Sequence, residues 1–219
     1  MRRSPILTTR DFNIAELSGM RLRGDLTAIG ECWIARGEPL TLETRCDIVA
    51  ATLAPRQIAD RWTAAWVWGA VEELSTPYQT CVTRKARLSR ARRPAGEAPR
   101  GRGDVESLGN GRLAQFPLRG GMRELDLLVD EVETVRDLRV TSVLRTALDL
   151  LREADEDSPW PVTVGGLLAI APFPDTANAD LRALISDGRF AVRARRTSAR
   201  LDRIQADLPA TAAGGTELR

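Results

Sequence analysis

Arg145 and Asp149 stand four residues apart in "VTSVLRTALDLL" (140–151), inside an otherwise apolar run. On a helix that spacing puts them side by side, with Ser142, Thr146 and Arg152 on the same face and Leu144, Ala147, Leu148 and Leu151 on the other. Read as a solvent-facing stripe, the pair is worth only about 0.2–0.5 kcal/mol and brings no catalytic group near it. A second set of carboxylates lies in "GGMRELDLLVDE". A glycine pair followed by acids suggests metal-assisted nucleotidyl transfer, which needs two metals ~3.5–4 Å apart. Asp126 and Asp130 are four residues apart, or ~13 Å on an extended strand, too far to share such a pair. A nuclease of the Asp…Glu-x-Lys kind fails as well. The sole lysine, Lys85, has no glutamate two residues before it.

Histidine is absent. The usual general base near neutral pH, the usual zinc ligand and every Ser–His or Cys–His pair go with it. Cys32, Cys46 and Cys81 are odd in number and widely spaced, which fits buried thiols better than a disulfide framework or a zinc site. The expectation is a non-enzymatic protein with no cofactor and no metal.

These residues sit in a chain of 219, enough for one large or two small domains. Its 43% apolar and 28% charged residues are ordinary for a soluble globular protein, and a net charge of +2 demands no polyanionic partner. No apolar run approaches the ~20 residues that span a bilayer, and the N-terminus lacks a signal-peptide core, so a cytoplasmic protein with no membrane partner is expected.

Along the chain, Asp11 is expected to cap a helix carrying Ile14, Leu17 and Met20, followed by a hairpin around "LTAIGECWIA" between Gly24 and Gly30. A helix leading into a two-stranded wing is how a winged helix-turn-helix ends, so 1–39 reads as a truncated remnant of one. Thr41 caps a helix with Leu42, Cys46, Val49 and Leu53 on one buried stripe. Pro55 is expected to open a second helix, with Ile58, Trp62, Ala65, Trp66 and Gly69 on one face and Ala65 and Gly69 small enough for close approach.

Alternation then predicts strands in "YQTCVTR", "GRLAQFPL", "RELDLLV" and "VETVRDLRV", the last with a turn near Asp137. Between the first two lies a loop, 86–103, within a basic run. Arg84, Lys85, Arg87, Arg90, Arg92, Arg93, Arg100 and Arg102 face one acid, Glu97. Flexible arginines bind phosphate in a salt-dependent way, or steer an acidic protein surface towards the chain, so these eight are the candidate nucleic-acid or partner-binding residues. Ser142 caps the motif helix, expected to end near Glu153. Further helices are expected from Thr163 to Ile170, from Asp175 to Gly188, and through Leu201 and Ile204, with a tail at 209–219. The fold class is α+β, with residues 40–208 as the main domain.

The wording of the motif carries separate information. "RVTSVLRTALDLLR" resembles the signature of the AbiEi-type antitoxins of bacterial type IV toxin–antitoxin systems. The same signature occurs in actinobacterial proteins that append a Vsr-like endonuclease domain. "RWTAAWVWGA" is similar to a helix of that family, with Ala64, Ala65 and Gly69 at matching places. "YQTCVTR" falls where those proteins have a first strand, and "LTAIGECWIARGEP" is similar to their wing. The likeness runs in order from about Glu16 to Leu208, where the chain would pass into a nuclease, so no nuclease activity is expected. It departs at the turn, where Asp137 stands near the family's glycine. The resemblance implies an antitoxin that counteracts a nucleotidyltransferase-like toxin in phage defence and represses its own operon by binding operator DNA. It also implies that Ser142, Arg145, Thr146 and Asp149 form a structural motif. Arg145 would reach an acidic or carbonyl group of the adjacent sheet, with Asp149 orienting it.

Overall fold

A computed structural model describes residues 6–83 and 122–207. Arg84 to Arg102 and the 209–219 tail lie outside the described residues, as does "GRLAQFPL". The architecture is α+β: among the described residues, seven helices pack around two small sheets.

The first sheet is antiparallel, in the order β1 (Ile6–Leu7), β3 (Cys32–Ala35), β2 (Leu26–Ile29). Helix α1 (Ile14–Leu22) precedes the β2–β3 hairpin, and β1 adds a strand not expected from the sequence. Asn13, not Asp11, caps α1. Its side chain accepts from the Glu16 N–H at 2.9 Å, while Glu16 accepts from the Asn13 N–H at 3.0 Å. This reciprocal box satisfies two otherwise orphaned donors. Asp11 instead closes the preceding turn through the Thr8 N–H. At the hairpin tip Gly30 has φ +57° and lies on the Tyr78 hydroxyl, so any Cβ there would collide with it.

Helix α2 (Leu42–Ala50) is capped by Thr41 as expected. Its buried side runs through Cys46, Ile48 and Val49, whereas Leu42 at the exposed first turn lies outside it. Pro55 does not open a helix. Residues 54–57 form a turn closed by Gln57, and Ile58–Ala59 is a strand, β4, between Cys81 and Thr80 on one side and Val140 on the other. Central sheet pairing overrides the helical periodicity there. Helix α3 is therefore short, Arg61–Val67, with Trp62 and Trp66 in the core. Gly69 does not mediate close packing. It takes φ +83° just beyond the helix end, and nothing lies within 4 Å of where its Cβ would stand.

Strands β5 (Thr80–Thr83), β6 (Met122–Leu125), β7 (Val132–Val135) and β8 (Leu138–Thr141) complete a mixed five-stranded sheet, ordered β6-β5-β4-β8-β7. The β7–β8 turn falls as expected. The residue with positive φ there is Arg136, at +54°, rather than Asp137. Helix α4 (Val143–Glu153) leaves β8 directly and contacts α3, α5 (Trp160–Ala169), α6 (Pro174–Ser186) and α7 (Ala194–Asp207). Thr163 lies inside α5, which starts earlier than expected with Pro161 in its first turn.

Two apolar clusters follow. One joins α4 to α5, α6 and α7 through Leu148, Leu151, Trp160, Leu167, Leu181 and Leu201. The other joins both sheets, α2 and α3 through Ile34, Ile48, Ala59, Trp66 and Val140. Helix α4 lies between the C-terminal helices and the sheet, and that position determines what its polar face meets.

Candidate functional site

The motif begins where a strand must become a helix. Ser142 accepts from the Arg145 N–H at 3.4 Å, and Thr146 donates to the Ser142 carbonyl at 2.9 Å. The Thr141 and Thr146 hydroxyls are 2.8 Å apart, and Trp68 Nε1 donates to the Thr141 carbonyl at 2.9 Å. The β8–α4 junction is thereby tied to the end of α3.

One turn on, Arg145 and Asp149 are only 3% and 2% exposed, so the surface-stripe expectation is overturned. The physical cause is position. A period of 3.6 separates two faces, but α4 is covered on both, and the polar one meets Arg123 of β6 and Glu131 before β7. Arg145 Nε donates to Asp149 Oδ2 at 3.2 Å and Nη1 lies 3.0 Å from Glu131 Oε2. Glu131, also buried, ends the 3-10 turn before β7. It accepts from the Leu128 N–H at 2.8 Å, and Arg189 approaches it at 3.3 Å. The guanidiniums of Arg145, Arg152 and Arg189 each stand about 5 Å from the Phe190 ring, where its quadrupole adds attraction.

On the other side of Asp149 is Arg123 of β6, the hub of the site. Its Nε lies 2.5 Å from Asp60 Oδ2, its Nη2 lies 2.7 Å from Asp149 Oδ2, and its Nη1 donates to Glu153. Asp60 is fully buried at the β4–α3 junction and also meets Arg61 Nε at 3.2 Å. Burial pushes the Asp60 carboxyl above its ordinary value, against the pull of Arg123 and Arg61. Burial also opposes the charge on Arg123. Asp149, Asp60 and Glu153 together outweigh it and hold the guanidinium above its usual range.

Three convergent carboxylates are a donor set that suits a divalent cation. Here a guanidinium touches an oxygen of each, and among the described residues no group of three or more acids and thiols is spaced to hold a metal ion. Asp126 and Asp130, weighed above for that chemistry, are exposed and take no part in the network.

Beside this network opens a cleft of about 350 Å³ between the start of α3 and the end of α4. Asp149, Glu153 and Asp155 line it together with Arg61 and Arg193, over Trp62 and Leu150. Arg61 and Arg193 have φ of +46° and +73°, left-handed conformations that long side chains seldom adopt.

Of the motif residues, the structure brings Arg145 and Asp149 into one ion network and uses Ser142 and Thr146 to build the helix start. The eight basic residues from Arg84 to Arg102 lie outside the described residues. Asp60, Arg123, Glu131 and Glu153 were not singled out from the sequence. The one local signal was a charged residue inside a strand pattern, Arg123 in "MRELD"; Asp60 fell inside the helix expected from Pro55 and carried none. Compared with known families and curated proteins, the chain matches no family model and no curated protein.

Proposed function

We propose that this chain is an antitoxin-like protein, which counteracts a nucleotidyltransferase-like toxin and regulates its own operon. The observation that carries the reading is the pairing of Arg145 and Asp149 with each other and with structural partners on both sides, Glu131 and Arg123. Groups so tightly paired brace a scaffold rather than cycle protons. The proposal assigns the chain's activity to binding, and it rests otherwise on the wording of the motif. It is tested by co-expressing the chain with the product of a neighbouring nucleotidyltransferase-like reading frame. Rescue of growth and co-purification are expected, and loss of both would reject the proposal.

A second reading, a DNA-binding regulator without a toxin, draws support from α1 and the β2–β3 hairpin, a helix followed by a two-stranded wing. Arg21 and Arg36 line one pocket beside that hairpin. A gel shift on the chain's own promoter, abolished by neutralising Arg84 to Arg93, is the expected result. No shift at low salt would end this reading.

A further inference from the structure

The cleft beside Asp149 contains polar groups that the ion network does not use. Both guanidinium contacts of Asp149 fall on Oδ2, and its Oδ1 has no hydrogen-bond partner among the described residues. Gln79, 5% exposed, also lines the cleft. Its Oε1 accepts from the Trp62 N–H at 3.2 Å, which assigns the amide orientation and turns Nε2, a donor, away from that bond. Nε2 likewise has no partner among the described residues. Neither atom is a sealed buried orphan, so each keeps contact with the open space. A buried acceptor and a buried donor therefore reach the same cleft.

Charge narrows the ligand class. Arg61 and Arg193 oppose Asp149, Glu153 and Asp155 around the cleft. Two cations and three anions line the cleft, with Arg123 and Arg145 behind Asp149, so charges of both signs border it and a ligand with separated opposite charges meets a partner at each end. Arg193 has donors to spare, since among the described residues its guanidinium makes a single hydrogen bond, a 3.4 Å contact from Nη1 to the Arg152 carbonyl. Trp62, Leu150 and Ala154 add a limited apolar surface. A volume near the lower end of the ~300–1,000 Å³ usual for ligand sites restricts the occupant to a small molecule.

We propose that this cleft binds a small zwitterion of the α-amino-acid class, its ammonium taken by Asp149 and its carboxylate by Gln79 and Arg193. The test uses the full chain, titrated with the standard α-amino acids by calorimetry and thermal shift. Binding at millimolar Kd or tighter is expected for at least one. Its decarboxylated amine and its deaminated acid should each bind at least about tenfold more weakly, because each lacks one charge. Gln79→Glu keeps the acceptor for Trp62 but sets a carboxylate against the ligand's own, and Arg193→Ala removes an exposed side chain. Both variants should keep the parent circular dichroism spectrum and bind at least about tenfold more weakly. The proposal is overturned if no amino acid binds at about 10 mM, if either single-charge analogue binds as tightly, or if both folded variants bind like the parent.

Discussion

Two ion networks hold the two ends of α4, and they differ mainly in their access to water. At the sheet side, Asp60, Arg123, Asp149, Arg145 and Glu131 form a chain of alternating charge, nearly all of it buried. Past the C-terminal end of α4, Glu156 gathers Arg196, Arg200 and Arg203 of α7, with its own side chain 52% exposed. Both place several guanidiniums around carboxylates. In the first, each charge has surrendered most of its hydration and depends on its neighbours, so removing one member strands another in a poor dielectric. In the second, water replaces whatever is removed. Arg200 belongs to both regimes. Its guanidinium is buried over the Trp160 ring and donates to the Leu151 and Ala154 carbonyls at 2.8 and 2.9 Å, satisfying acceptors left orphaned at the helix end.

The largest effect should come from cutting the buried chain at its middle. Asp149→Ala leaves Arg145 and Arg123 each short of a carboxylate, and a loss of about 3–5 kcal/mol is expected in urea unfolding. A loss below about 1 kcal/mol would mean that the buried network behaves like the exposed one. Next is a double-mutant cycle on Arg145→Met and Glu131→Gln. The double variant should be less destabilised than the sum of the singles by about 1–3 kcal/mol, because each single strands the partner that the double removes. Additive losses would show that the 3.0 Å contact carries no coupling.

Arg200→Met retains the apolar stem against Trp160 but strips two carbonyls of their donor. It should cost about 1–3 kcal/mol, read as a lowered Tm. The smallest effect is expected at Glu156. Hydrogen bonds from Arg200 and then Arg196 hold its carboxyl at about 2, below the ordinary 4.5. A depressed carboxyl adds stability above its ordinary value and loses it as the pH falls towards 2. Glu156→Gln should therefore leave Tm nearly unchanged at neutral pH in high salt and flatten its fall between pH 4.5 and 2. A large loss at neutral pH would place Glu156 with the buried network.

The helix carrying the motif was legible almost to the residue. Ser142 as cap, a start at Val143 and an end at Glu153 all follow from local rules about capping and periodicity. The β7–β8 hairpin was legible for the same reason, two alternating runs around a two-residue turn. Ile58 was not. Its spacing to Trp62 and Trp66 fits a helix as well as a strand, and only pairing with Cys81 and the neighbouring β8 decides between them. Nor was the site around Arg145 legible as a site. Glu131 is 14 residues away and Arg123 is 22, while Asp60 reaches Arg123 across 63 residues of chain.

By itself the sequence determined which residues share a face of α4, where that helix starts and stops, and that no histidine can act anywhere in the chain. Those are consequences of bond geometry and composition, which act over a few residues. Only the tertiary structure decided that the polar face is enclosed, that Arg123 stands among three carboxylates, and that Asp149 and Gln79 border one cleft. Burial and charge pairing depend on what packs against a residue from distant parts of the chain, and local periodicity carries no information about that.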